Sequence, residues 1–388
     1  MKYKLSDICH YRKGKVDVSL LTDDTYISTE NMIPNRGGIT KATTLPTVDS
    51  TQLYKKGDVL VSNIRPYFKK IWQATCDGGC SNDVLVFQAN EGFDQDYLYY
   101  VLSDDAFFAY AMKTSKGTKM PRGDKHSIMQ YETEVCDLDT QRKIASLLKS
   151  IDGKIELNNA INNNLYHLLS LSFKNDYWDR AIDHPEWIMT TLDETTSRFG
   201  TGLNPRKNFV LGHGNNYYVT IKNMGNNRIY LDDRCDKIDD EAIRRIQMRS
   251  DLKVGDLLFS GIGTIGRVFL IDKPATNWNT SESVFNLRPN AKVSSEFLYL
   301  LLLNNDMQDY AISLASGSVQ KGIRMADLKK YSFYLPTKEA MERLTSLWKP
   351  LIKQIKANEV ESDGLAVLRD TILPKLLSGE IDVSDVEF

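Results

Sequence analysis

The chain repeats itself at a period close to half of its 388 residues. Gly57-Asp-Val-Leu-Val-Ser62 returns as Gly255-Asp-Leu-Leu-Phe-Ser260, an offset of 255 − 57 = 198. Tyr26-Ile-Ser-Thr-Glu-Asn-Met32 returns as Tyr218-Val-Thr-Ile-Lys-Asn-Met224, and Tyr97-Leu-Tyr-Tyr-Val-Leu102 as Phe297-Leu-Tyr-Leu-Leu-Leu302. Duplication of this kind constrains the fold more than any single motif, because both halves must build the same unit. Each Gly-Asp segment reads as a turn followed by a buried strand.

The later offset of 200 holds through a long helical stretch, pairing Ile144 with Leu344, Leu148 with Trp348, Ile151 with Leu351, Ile155 with Ile355 and Leu165 with Leu365. Positions 144, 148, 151, 155, 158, 162 and 165 step by four and three, which lays one apolar seam along a helix, and the second copy repeats the steps. Asn158 and Asn358 fall on that seam, beside Asn162 and Ser362. A polar residue there restricts register and partner choice; the alternative is an exposed Asn on a helix whose stripe drifts. Neither helix can bury its stripe alone, and the obvious partner of each is its twin. The expected fold class is therefore α+β: two similar α/β units joined by two long antiparallel helices in a coiled coil, with pseudo-two-fold symmetry. The expected boundaries are 1–139, 140–180, 181–336 and 337–388. Two such units suit a split DNA site, with one unit per half-site and the helix pair as a ruler. An outer stripe including Leu157, Ile161 and Tyr166 is expected either to dock a partner's helices or to touch the globular units.

Hydrophobic content of 41% and charged content of 26% are ordinary globular values. The first residues lack an apolar leader, and no apolar run approaches the roughly 20 residues of a membrane span, so the expected location is cytoplasmic with no membrane partner. Five scattered cysteines fit reduced thiols, and the Cys76/Cys80 pair has no second ligand pair at zinc spacing. The formal net charge of −2 means that any grip on phosphate must come from local basic patches.

The doubled architecture resembles the specificity subunits of type I restriction-modification systems. The resemblance covers nearly the whole chain. It is carried by the Gly-Asp strands, the loops Thr114-Ser-Lys-Gly-Thr118 and Ala315-Ser-Gly-Ser318, the Gln141-Arg-Lys-Ile-Ala segment opening the first long helix, and the tail Leu373-Pro-Lys-Leu-Leu-Ser-Gly-Glu380. The sequence departs from the family pattern at Glu339-Ala-Met341, where a Gln precedes the second helix in relatives. The resemblance implies two target-recognition domains that bind double-stranded DNA, and no catalytic residues. It also implies partner methyltransferase subunits using S-adenosylmethionine and partner restriction (translocase) subunits using ATP and Mg2+. No cofactor or metal is expected on this chain.

The motifs of the chain also lead to the expectation of a non-enzyme. Gly261, Gly263 and Gly266 form a G-x-G-x-x-G, yet the strand-like Arg267-Val-Phe-Leu-Ile271 follows where a dinucleotide site needs a helix, so a β-turn is expected. Gly14-Lys15 and Gly153-Lys154 lack the Ser or Thr of a Walker A loop. No Asp-Pro-Pro-Tyr or Asn-Pro-Pro-Tyr occurs, and the five histidines are isolated from any nucleophile motif. The competing class is a coiled-coil assembly scaffold without DNA contact.

The candidate DNA contacts are basic. Lys113, Lys116, Lys119, Arg122 and Lys125 recur every three residues after the Tyr97-to-Met112 helical run, and Lys321, Arg324, Lys329 and Lys330 occupy the matching stretch. A glycine-containing basic loop approaches phosphates closely, its lysines giving position and its arginines guanine contacts. Its alternative is an ordinary solvated loop. Further candidates lie where the halves differ most: Arg36, Lys41, Arg65, Lys69 and Lys70 in the first unit, and Arg206, Lys207, Arg228, Arg244, Arg245 and Arg267 in the second.

Overall fold

The computed structural model describes residues 2–225, 227–317, 321–384 and 386. It contains two compact units: Met1–Leu157 with Glu361–Phe388, and Asn158–Val360. Ser318 of the second small-residue loop lies outside the described residues.

In the first unit, β1 (Cys9–Tyr11), β2 (Lys15–Asp17), β3 (Tyr26–Ile27), β4 (Ser50–Tyr54), β5 (Val59–Ser62), β6 (Ile71–Gln73), β7 (Gly78–Cys80) and β8 (Val84–Ala89) make two sheets. One is antiparallel in the order β1-β8-β5-β6; the other runs β2-β4-β7-β3, with β3 and β7 parallel. This explains the unbroken apolar run of β5. Val59 and Val61 enter one core with Phe87 and Leu98, whereas Leu60 enters another with Ile27 and Tyr54. Side chains alternate faces along a strand, so burial on both faces requires apolar residues throughout. Helices α1 (Gln95–Ser103), α2 (Asp105–Lys113) and α3 (Lys125–Ile128) follow, then the 35-residue α4 (Leu138–Ser172). The Tyr97-to-Met112 run is thus two helices. It breaks at Asp104, whose carboxylate accepts from Ala106 N and starts α2 as a cap.

The second unit repeats this frame with β9 (Thr196–Thr201), β10 (Asn216–Val219), β11 (Asp236–Ile238), α5 (Asp240–Arg249), β12 (Leu257–Ser260), β13 (Val268–Leu270), β14 (Trp278–Thr280) and β15 (Val284–Pro289). Helices α6 (Ser295–Leu303), α7 (Asn305–Ser313), α8 (Met325–Leu328) and the 40-residue α9 (Lys338–Leu377) complete it. Its sheets are β9-β15-β12-β13 and β11-β10-β14, with β10 and β14 parallel. The units differ before the Gly-Asp motif. There the first has strand β4 and the second has helix α5, capped by Asp239 and burying Ala242, Ile243 and Ile246.

The Gly-Asp motif recurs for structural reasons. Gly57 (φ 92°) and Gly255 (φ 91°) both take the left-handed backbone that a Cβ disfavours. Asp58 and Asp256 are buried, each facing a guanidinium from a neighbouring chain segment: Arg12 Nη2 donates to Asp58 Oδ1 at 2.8 Å, and Arg288 Nε donates to Asp256 Oδ1 at 2.7 Å. A buried carboxylate requires such a partner.

The seam residues Ile144, Leu148, Ile151, Asn158 and Asn162 are buried, as are Leu344, Trp348, Ile355, Asn358 and Ser362. Both asparagines are therefore interior. Within each unit the helices run antiparallel: Arg369 meets Asp152 at 2.7 Å and Lys154 meets Glu361 in the first, while Trp348 Nε1 donates to Ser172 Oγ and Asn358 meets Asn162 in the second. Leu157 and Ile161 are exposed, but Tyr166 packs against the second unit's core and its hydroxyl donates to Glu359.

The departure at Met341 is accommodated locally. Gln141 Oε1 accepts from Asp94 N, tying the start of α4 to the cap of α1. In the second copy Met341 is buried, with its sulfur 3.9 Å from Ser294 Oγ, and Met341 N donates to Thr337 O, so the first turn of α9 forms. Among the described residues no helix is long and apolar enough to cross a membrane.

Candidate nucleic-acid interface

In each unit the basic loop is docked by the same backbone bonds onto the loop that leaves the Gly-Asp strand. Lys116 and Arg122 exchange N–H···O bonds of 2.8 and 2.9 Å, Arg65 N donates to Pro121 O, and Gly123 N donates to Asn63 O. In the second unit Ser316 and Gly322 exchange bonds of 3.0 and 2.9 Å, Gly263 N donates to Lys321 O, and Ile323 N donates to Gly261 O. These contacts hold a solvent-facing loop at one place in both units.

This docking explains the glycine triplet of the second copy. Gly263 has φ 82° and Gly266 φ 93°, and β13 follows, antiparallel to β12. The equivalent left-handed positions of the first unit are Arg65 (φ 51°) and Lys69 (φ 49°). A side chain there strains the backbone. Arg65 Nε is in addition buried without a hydrogen-bond partner among the described residues.

The candidate residues divide by what their charges already do. Lys113, Lys119, Arg206, Lys207, Lys321 and Arg324 are exposed. Lys116 reaches Asp124 at 2.7 Å and Arg122 reaches Asp83 at 3.0 Å, both as exposed pairs that water and salt weaken. The Lys116 ammonium, with the Ser127 N–H and hydroxyl, holds the Asp124 carboxyl well below the usual range. Lys41 pairs with Asp24 at 3.0 Å, which raises its own pKa. Arg245 Nη1 donates to Asn208 O at 2.6 Å, so α5 and the turn carrying Arg206 and Lys207 form one basic neighbourhood. Arg244 Nε donates to its own helix at Asp240 O.

Others are engaged inside the fold. Arg36 bonds Ser103 O and pairs with Asp105, which also takes Lys69 at 2.8 Å. Arg228 lies over the Tyr230 ring. Lys70 Nζ donates to Thr29 O at 2.6 Å, and burial lowers its pKa. Arg267 Nη1 donates to Ile221 O at 2.9 Å and also to Met224 O. Lys70 and Arg267 are structural equivalents, since their carbonyls accept from Ser62 N and Ser260 N respectively. Each supports the turn that follows β3 or β10.

That turn borders an open cleft of 390 Å³ in the first unit, whose walls include Ser28, Thr29, Glu30, Lys41, Ser81 and Asp83. Through the Asp83–Arg122 pair the cleft adjoins the basic loop. Glu30 and Asp83 are acidic and so stand outside the basic candidate set; the alignment of Ser28-Thr-Glu-Asn31 with Thr220-Ile-Lys-Asn223 carries the signal for the turn.

Two mixed α/β units with long helices, each presenting a docked basic loop, define a doubled α+β architecture that holds a basic loop at the same place in each unit. The model of the type I restriction modification DNA specificity domain matches residues 1–167 and again 199–362, and the chain belongs to that family, that of type I specificity subunits. It is 22% identical to the type I restriction enzyme HindI specificity subunit of Haemophilus influenzae, over 98% of this chain and 99% of that protein. It is also 22% identical to the MjaIX specificity subunit of Methanocaldococcus jannaschii, over 87% and 80%. The fold is shared with the type I restriction-modification S subunit from M. genitalium, with a TM-score of 0.60, 16% identity, and coverage of 97% and 96%.

Proposed function

We propose that the chain reads a two-part double-stranded DNA target, one half per recognition domain, and brings partner methyltransferase and restriction subunits to that target without catalysing either reaction. The recognition segments are residues 1–139 and 181–336, and the helical segments 140–180 and 337–388 carry the spacing between half-sites. The observation that carries the reading is the basic loop docked identically in both units while its side chains differ. A shared frame fixes where phosphate is met, and differing side chains on that frame select different bases. S-adenosylmethionine, ATP and Mg2+ serve the partner subunits. The test is to express the chain with its partner methyltransferase subunit and map modified bases across the host genome. A two-part motif with a constant gap is expected; a continuous motif, or none, would overturn the reading.

A further inference from the structure

We propose that Glu30 and Lys222 are an equivalent pair of base-reading side chains, one per unit, chemically inverted so that one scaffold selects two different half-sites. The inference rests on the DNA-reading function above and names side chains for it.

The two turns are the same structure. Ser81 N donates to Ile27 O and Ser281 N to Val219 O, each at 2.9 Å, so each turn leaves a strand held in the same parallel pairing. Inside the turn, Asn31 Oδ1 accepts from Ser28 N at 2.6 Å and Asn223 Oδ1 accepts from Thr220 N at 2.9 Å. Both asparagines are buried, and their amides close the turn, Asn31 onto Tyr26 O and Thr40 O, Asn223 onto Arg234 O. From the other side Lys70 and Arg267 hold the carbonyls of Thr29 and Ile221. Between a clamped carbonyl and a buried asparagine, each turn has one exposed residue: Glu30 in the first unit, Lys222 in the second. Neither side chain makes a hydrogen bond or ion pair among the described residues. Their backbones are fixed while their charged ends stand outside any contact ion pair, the Glu30 carboxylate lying within electrostatic reach of the Lys70 ammonium.

The charge inversion indicates what they meet. A carboxylate repels phosphate, so Glu30 adds nothing to general DNA affinity. It is useful on a DNA-facing surface only if it accepts from an exocyclic amino group, which cytosine N4 or adenine N6 presents in the major groove. An ammonium donates to guanine O6 and N7. Each also disfavours the other's base, a carboxylate facing guanine acceptors being repelled, which supplies discrimination against wrong sequences. The supporting Lys70 and Arg267 act as positioning residues.

The experiment uses the full chain in complex with its methyltransferase partner and two duplex libraries, each randomised over one half-site, with bound DNA sequenced. For the wild type, the position read by Glu30 should select C or A, and the position read by Lys222 should select G. Glu30→Lys should change the selected base pair at one or two positions of one half-site, by about tenfold or more in relative enrichment, and leave the other half unchanged. Lys222→Glu should do the same in the opposite half. The near-isosteric Glu30→Gln should relax the choice without inverting it, and thermal melts of all variants should match the wild type because both side chains are exposed. Unchanged enrichment in both libraries would overturn the pair, as would a uniform gain or loss of binding across all sequences, which marks phosphate contact. A wild-type complex that enriches no two-part sequence would instead contradict the DNA-reading function itself, and this inference would fall with it.

Discussion

Asn358 donates its side-chain amide to Asn162 Oδ1 at 2.8 Å in the buried seam of the helix pair, and Asn162 in turn donates to Ile355 O. Gln354 completes the arrangement by donating to Asn358 Oδ1 at 2.7 Å. Polar groups in such a seam lower stability when unpaired and fix register when paired. Replacing Asn358 alone by Leu should therefore cost about 1–3 kcal/mol, because it leaves the Asn162 oxygen buried without its donor. Replacing both by Leu should cost less than the sum of the single changes, with a coupling of about 0.5–3 kcal/mol in a double-mutant cycle measured by urea unfolding. Additive single effects would contradict the pairing.

Arg65 occupies a left-handed backbone position that Gly263 occupies in the second unit. Arg65→Gly should relieve strain and raise unfolding stability by about 1 kcal/mol, while weakening DNA binding by the complex if the guanidinium serves that surface. A stability loss together with unaltered binding would show that Arg65 is held there for packing instead.

Much of this was legible in the sequence, for stated physical reasons. Heptad spacing put Asn158 and Asn358 on the apolar seam because a seam is a local periodicity, and the doubled Gly-Asp segment was legible as a turn followed by a buried strand in each unit. The uses of Arg36, Lys70 and Arg267 were not legible. Their partners are the carbonyls of Ser103, Thr29 and Ile221, between 41 and 67 residues away in the chain, and a backbone acceptor leaves no mark on composition. The break at Asp104 was readable in principle as a capping residue, but the apolar pattern continues through it. Helix α5 replaces strand β4 where the halves diverge, so the repeat offered no guidance there.

Lys116 and Lys119 sit on the exposed loop with no burial to hide their charge. Changing both to Ala should weaken binding to all sequences alike and flatten the dependence of log K on log salt by about 1–2 units. An unchanged slope, measured by titrating the complex from low to high salt, would assign the loop to solvent.

The Asp124 carboxyl is held below its usual range first by Lys116 and then by Ser127. A carboxyl depressed in the folded state stabilises that state above the unfolded pKa of about 3.9, and the contribution is lost as pH falls through the folded value. The loop latch should accordingly persist at pH 5 and fail only under strongly acid conditions. Carboxyl 13C titration should show a midpoint below that of an unstructured Asp, and Lys116→Ala should move it part of the way back. A wild-type midpoint near 3.9 would contradict the latch.

The central claim is that each recognition domain reads its own half of one target. The most direct test exchanges residues 1–139 for the matching segment of a relative with a different target, and maps methylated bases in cells expressing the chimaera with the partner methyltransferase subunit. The account predicts a motif in which one half is replaced, while the other half and the gap are retained. A motif altered in both halves, or in neither, would contradict it.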